Sequence, residues 1–205
     1  VSILPLFSTP IYYADINIDL IHLDKKLNEI EYQKYDKASG SGSVCQKILL
    51  DRYFSKVRKE IERHLNTFLY EELSFDQGKI KHLCSWINLH EPGEASHDHI
   101  HANSLFSGVL YLDIPDSDSG DLILVHSDEL PSFKTSTIDV QMKNYNLYNS
   151  KTWRFKPRNN LLIIFPSHLR HKTDPNLSNK NRYSLAFNYF LEGRLGKSMT
   201  NQIII

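Results

Sequence analysis

The sequence predicts a mainly β chain, folded as a jelly roll, with helices at its amino-terminal end. Three observations carry this. From residue 80 onward helical periodicity disappears, and short apolar runs follow one another between Gly, Pro, Asn and Asp turn residues. Before that point Phe54, Val57, Ile61, Leu65 and Phe68 recur at helical spacing. Inside the β region three of the ten histidines fall within residues 97–101. Packing does not explain that crowding, because each buried imidazole has two nitrogens to satisfy.

In chain order, Leu6-Phe7-Ser8-Thr9-Pro10-Ile11-Tyr12-Tyr13-Ala14 is aromatic and β-branched with a proline, which suits an edge strand. Residues 18–31 carry Leu20, Leu23, Leu27 and Ile30 at helical spacing. Lys37 to Val44, with Ser39-Gly40-Ser41-Gly42-Ser43 inside it, reads as a flexible, solvated connector. A second helix is expected over 52–72, capped by Asp51, with His64 beside its core stripe as a partly exposed structural residue. Strands are expected at 81–90, 97–101, 104–114, 121–126, 144–148, 152–156, 160–166, 169–173 and 181–191. Such a series indicates a sandwich or a closed barrel. No repeat of 20–50 residues is present.

Composition narrows the function. A chain of 205 residues fits one domain, and 40% hydrophobic residues supply a sizeable core. Lys plus Arg and Asp plus Glu balance at 24 each, which argues against nucleic acid or an anionic membrane as main partner. No apolar run approaches the roughly 18 residues of a membrane span, and Val1-Ser2-Ile3-Leu4-Pro5 lacks the basic start of a signal peptide. Two cysteines make no disulfide framework and suit a reducing compartment, the cytoplasm by default. Cys84, in an apolar run, reads as a buried small hydrophobe.

The histidines carry the chemistry. Two residues at i, i+2 on a strand point to one face, so His99 with His101, or equally His97 with His99, can present two imidazoles together. His171, 72 residues after His99, can supply a third from another strand. Three such ligands leave positions open on a metal for other molecules, as non-haem iron sites do. Asp98 has the wrong parity to join them. His22, His82, His90, His126 and His168 read as surface or hydrogen-bonded residues. On the strand 181–191, Arg182, Ser184, Ala186 and Asn188 share a face, and Arg182 with Ser184 can grip a carboxylate. Tyr145, Tyr148 and Trp153 could shape a substrate groove, although packed strand surface is the simpler reading.

These residues together resemble a known family. Ser85-Trp86-Ile87-Asn88, Pro92-Gly93, His99-Ile100-His101 and Ser107-Gly108-Val109-Leu110-Tyr111-Leu112 look like the 2-oxoglutarate/Fe(II) oxygenases of bacteria and tailed phages, in the prolyl-hydroxylase-like superfamily. Phe165-Pro166-Ser167, His171, Arg182-Tyr183-Ser184 and Phe187-Asn188 resemble that family's second block. The resemblance covers most of 84–190, and the opening strand as well.

It implies a double-stranded β-helix, cupin-like, in a single oxygenase domain over 1–205. Residues 1–79 would form the supporting strand and helices, 80–195 the core and 196–205 a tail. It implies Fe(II) held by His99, His101 and His171, with 2-oxoglutarate and dioxygen as cosubstrates. Arg182 and Ser184 would bind the far carboxylate of 2-oxoglutarate, and Asn88 and Tyr111 would line its pocket. The superfamily's usual local pair is His-x-Asp or His-x-Glu, whereas this chain has His101 in the second place. The implied reaction couples decarboxylation of 2-oxoglutarate to succinate with oxidation of a substrate: a peptidyl residue (a prolyl one foremost), a free amino acid or a nucleobase.

Competing readings are a cupin-like dioxygenase that ignores 2-oxoglutarate and a metal-binding jelly-roll module without activity. A zinc hydrolase is a weaker rival, because no acidic residue pairs with the cluster as a general base.

Overall fold

A computed structural model describes residues 2–6, 8–36, 39–116, 118–126, 141–197 and 200–205. In chain order the elements are β1 (Tyr12–Asp15), α1 (Leu23–Glu29), β2 (Tyr32–Lys34), β3 (Ser41–Ser43), two short 3-10 turns (Ile48–Leu50 and Arg52–Phe54) and α2 (Ser55–Asn66), which continues as a π-helical turn (Thr67–Glu72). The β region follows as β4 (Lys79–His90), β5 (Phe106–Asp113), β6 (Leu122–Val125), β7 (Thr152–Phe155), β8 (Leu161–Pro166), β9 (Arg170–Thr173) and β10 (Arg182–Glu192). A small hairpin of β11 (Arg194–Leu195) and β12 (Ile203–Ile204) closes the chain.

Seven strands form one sheet in the order β1-β8-β5-β10-β4-β3-β2, and three form a second in the order β7-β6-β9. All the pairings in both are antiparallel. The run Leu161-Leu162-Ile163-Ile164-Phe165 explains how the layers stack. Leu162 and Ile164 join Val57, Ile61, Leu65 and Phe68 of the helical layer, while Leu161, Ile163 and Phe165 join Leu122 and Leu124 of the smaller sheet. A strand covered on both faces has no polar face to show, hence a continuous apolar run without alternation. Each fully buried side chain contributes about 1.5–3 kcal/mol.

β10 alternates instead. Leu185 and Phe187 enter the helix-facing core, while Arg182, Ser184 and Ala186 line a cavity on the other side. Its longest pairing runs from Arg182 opposite His90 to Glu192 opposite Lys79, with a bulge between Asn188 and Tyr189.

The jelly roll stands as expected, with several local corrections. The opening strand lies at the sheet edge but begins at Tyr12; Leu6 is exposed, and Phe7 lies outside the described residues. The first helix is shorter than 18–31, because His22 adopts a left-handed backbone (φ 59°) that stops it, although Leu20, Leu23, Leu27 and Ile30 all reach the core. The 52–72 helix is present, and the Asp51 side chain accepts from the Tyr53 N–H at 2.7 Å.

The expected connector 37–44 (Lys37 and Ala38 lie outside the described residues) contains β3, a buried strand between β2 and β4. Ser43 in it is bonded, not solvated: its Oγ accepts from the Ile87 N–H and donates to the Cys45 carbonyl. Residues 144–148 form turns, and 97–101 an extended segment with one bridge in place of a strand. His64 is buried, its Nδ1 2.7 Å from the Tyr12 hydroxyl. Cys84 is half-buried and accepts from Asn188 Nδ2 at 3.4 Å. Tyr145, Tyr148 and Trp153 are exposed. Among the described residues no helix is long and apolar enough to cross a membrane.

Candidate active site

Two stretches of backbone build the site. Residues 96–101 lie along 167–173 through a ladder of main-chain bonds. His99 and His171 exchange both N–H···O bonds at 3.0 Å, His101 N donates to the Ser167 carbonyl at 3.0 Å, and Thr173 N donates to the Ser96 carbonyl at 3.2 Å. The extended backbone puts His99 and His101 on one face, and the bridge sets His171 beside them.

The ring centroids of His99 and His171 are 4.3 Å apart, and each is 5.0 Å from that of His101. One ligand atom from each ring lies within 4.8 Å of the others, so the trio could hold a metal ion. His97 lies next to His99, with centroids 5.1 Å apart, but outside this trio. Asp98 is turned away and accepts from Arg170 Nη2 at 2.7 Å, which holds its carboxyl below the usual range.

The tautomers follow from the neighbours. Nδ1 of His99 lies 2.7 Å from the His97 carbonyl, and Nδ1 of His171 lies 2.9 Å from the Leu169 carbonyl. A carbonyl only accepts, so each Nδ1 carries the proton and each Nε2 keeps a free lone pair. Burial pushes His171 down to about 3 and His101 down to about 4, and it lowers His99 as well. All three rings are therefore neutral near pH 7, the form that ligates metal.

The triad opens into a cavity of about 510 Å³ that Asn88, Tyr111, Arg182 and Ser184 also line. Arg182 is 1% exposed. Nη1 donates to the carbonyls of Ser119 (2.5 Å) and Gly120 (3.0 Å), and Nη2 to Thr173 Oγ1 (3.2 Å). Gly120 has φ +82°, and a Cβ there would meet the Asp174 carbonyl oxygen at 2.3 Å, so only glycine brings this carbonyl to the guanidinium. Of the five guanidinium donors, the Nε proton and one on Nη2 have no partner among the described residues.

Asn88 Oδ1 accepts from Tyr35 (2.5 Å) and from the indole of Trp86 (2.9 Å). Since indole can only donate, the amide orientation is set and Nδ2 remains as a donor. Tyr111 stands opposite Ser184 across β5 and β10, and burial pushes its hydroxyl up to about 12.

The family model described as "Putative 2OG-Fe(II) oxygenase" matches residues 84–188. The chain belongs to that family. No curated protein matches it in sequence. Among solved structures, a Pseudomonas putida prolyl-4-hydroxylase superposes with a TM-score of 0.59 at 13% identity, over 90% of this chain and 94% of the other. HygX from Streptomyces hygroscopicus, solved with nickel, 2-oxoglutarate and hygromycin B, gives 0.60 at 11% identity, over 89% and 83%. A viral collagen prolyl hydroxylase from Paramecium bursaria Chlorella virus-1 gives 0.55 at 12%, over 87% and 94%. These likenesses are in the fold.

The chain is thus a 2-oxoglutarate-dependent Fe(II) oxygenase, with dioxygen as the family's cosubstrate. The oxygenase's donor set suits those groups: three neutral imidazoles for a divalent metal, and a buried guanidinium with unused donors for a carboxylate. His99, His101, His171, Arg182, Ser184, Asn88 and Tyr111, the candidate site residues from the sequence, all line this one cavity. Sequence reasoning missed His90, which reads as a bland histidine but is buried on the cavity wall. Its signal was parity, since it lies two residues past Asn88 on the same strand face. Trp86 and Thr173, which hold Asn88 and Arg182, were missed as site residues too.

Proposed function

We propose that His99, His101 and His171 hold the Fe(II) of this oxygenase, and that Arg182 and Ser184 bind the far carboxylate of 2-oxoglutarate. Asn88 and Tyr111 line the remainder of the cosubstrate pocket. The enzyme is a hydroxylase whose substrate is a peptidyl residue, a prolyl one foremost. One observation carries this reading: three imidazoles and the unused donors of Arg182 converge on a single cavity. The peptidyl substrate draws support from similar structures, which include a Trichoplax adhaerens prolyl hydroxylase in complex with a peptide fragment. Two unbridged cysteines support a reducing compartment, the cytoplasm.

Bound there, Fe(II) with 2-oxoglutarate and dioxygen supplies the two-electron oxidation of substrate, and the keto acid leaves as succinate and carbon dioxide. The chain's own residues bind, orient and exclude water. The two backbone carbonyls that fix the Nδ1 protons of His99 and His171 direct lone pairs inward. Arg182 is fixed by three acceptors before any ligand arrives, so little freedom is lost on binding. Val109, Leu122, Phe165 and Ala186 give the cavity apolar wall.

The test is anaerobic reconstitution with Fe(II) and 2-oxoglutarate, then admission of oxygen with and without proline-containing peptides. Succinate release, and gain of one oxygen atom by the peptide, are expected. Bound metal with no 2-oxoglutarate binding would instead favour the inactive metal-binding module.

A further inference from the structure

Among the described residues, the buried side-chain atoms without a hydrogen-bond partner are two nitrogens, Nε of Arg182 and Nδ1 of His90. These residues stand directly opposite one another across β10 and β4. Both line the same cavity, and they are 1% and 2% exposed. A buried polar atom left unpaired is unfavourable, so two on facing residues call for one group that completes both.

The His90 ring is anchored by Ser96, whose Oγ lies 3.0 Å from its Nε2, and it packs close enough to Gly40 that a Cβ there would come within 3.0 Å of Cδ2 and 3.1 Å of Nε2. The two residues also share their supports. Ser96 N donates to Thr173 Oγ1 at 2.8 Å, and Arg182 Nη2 donates to the same oxygen at 3.2 Å. His90, Ser96, Thr173 and Arg182 therefore form one hydrogen-bonded unit at the cavity wall.

We propose that His90 is a third donor to the far carboxylate of 2-oxoglutarate, beside the unused donors of Arg182. This rests on the carboxylate role given to Arg182 above. The ring acts as the neutral Nδ1–H tautomer, with Nε2 accepting the Ser96 hydroxyl proton. The other tautomer would aim a bare lone pair at an anion. A protonated ring is disfavoured because burial, with Arg182 adjacent, pushes His90 down to about 3. His90 is thus a determinant of selectivity for keto acids that carry a second carboxylate.

The test uses the Zn(II)-loaded protein, which is redox-inert, with calorimetric titration of 2-oxoglutarate and of 2-oxobutyrate, which lacks the far carboxylate. His90→Gln keeps a polar group near the Nε2 position and loses the Nδ1 donor. Its 2-oxoglutarate affinity should fall about tenfold, the effect of one charge-assisted hydrogen bond. His90→Asn restores a donor near Nδ1 and should stay within about threefold of wild type. Neither should change 2-oxobutyrate binding. In the wild type, nitrogen-15 NMR of the complex should show His90 as the Nδ1–H tautomer, a readout that needs no variant to fold.

The proposal is overturned if the bound ring is the Nε2–H tautomer, if His90→Gln binds 2-oxoglutarate like wild type, or if both keto acids weaken equally. Arg182→Lys separates the two assignments. If it weakens 2-oxoglutarate binding and His90→Gln does not, only the His90 role fails. If wild type binds no 2-oxoglutarate, both fail.

Discussion

His99 and His171 form a single antiparallel bridge in which each backbone N–H donates to the other's carbonyl at 3.0 Å. The bridge sets the two rings side by side, with centroids 4.3 Å apart, although 72 residues separate them in the chain. The spacing of these rings is therefore set by main-chain bonds, which do not depend on the side chains. It follows that His171→Ala should leave the fold in place and damage metal binding alone. Its loss should exceed the roughly 10–100-fold typical of an outer-shell partner. His101→Ala should behave alike, while His97→Ala should bind metal like wild type. Equilibrium dialysis with metal analysis checks all three, and a loss for His97→Ala with none for His101→Ala would move the pair to His97 and His99.

Arg182→Lys keeps the charge and removes the fork. Charge-assisted hydrogen bonds contribute roughly 1.5–3 kcal/mol each, so 2-oxoglutarate affinity should fall by at least about tenfold. Metal binding should persist, because none of the three rings bonds to Arg182. Titration of 2-oxoglutarate into the Fe(II) protein under nitrogen, followed by its metal-to-ligand absorption band, decides it. Binding as tight as wild type would remove Arg182 from the cosubstrate site.

The parts of this site that were legible in sequence share one property: their geometry is local. His99 and His101 converge because two residues on extended backbone must, and Arg182 and Ser184 share a face for the same reason. Local geometry could not choose between His97–His99 and His99–His101, which have equal spacing. His90 escaped because its meaning depends on the pairing of β4 with β10, which sets it opposite Arg182. That register is a tertiary fact. β3 escaped because Ser41-Gly42-Ser43 has the composition of a linker. What makes it a strand is its pairing between β2 and β4, a tertiary register, and glycine is needed at 42 because the Tyr35 hydroxyl would lie 2.6 Å from a Cβ there.

Gly108 tests the packing beneath the cavity. It faces Phe187 across β5 and β10, and a Cβ there would lie 2.3 Å from the Phe187 ring and 2.7 Å from the Ile163 carbonyl oxygen. Phe187 is 1% exposed and cannot move aside without disturbing the helix-facing core. Gly108→Ala should therefore destabilise by about 1–3 kcal/mol, the usual range for overpacking. Denaturant unfolding should show a lower midpoint at unchanged slope. A midpoint equal to wild type would mean that the sheet relaxes at this point.

The last prediction concerns acid. In the metal-free protein burial holds His90 and His171 near 3 and His101 near 4, against about 6.5 for an unperturbed histidine. Between those values the unfolded chain binds protons that the folded chain refuses, so stability rises with pH there. Stability is then complete above about pH 6.5 and is lost progressively as pH falls toward 3. Across that window each such ring costs about 1.4 kcal/mol per pH unit. The buffered carboxyls of Asp15, Asp51 and Asp98, held low by their cationic partners, add to the loss only at lower pH. Thermal unfolding of the metal-free protein at pH 7, 6 and 5 should therefore show a falling Tm, and His90→Asn should reduce the slope by removing one ring. Bound metal competes with protons for the triad and should shift its share of the loss to lower pH. A Tm that stays level from pH 7 to 5 without metal would contradict neutral burial of these rings.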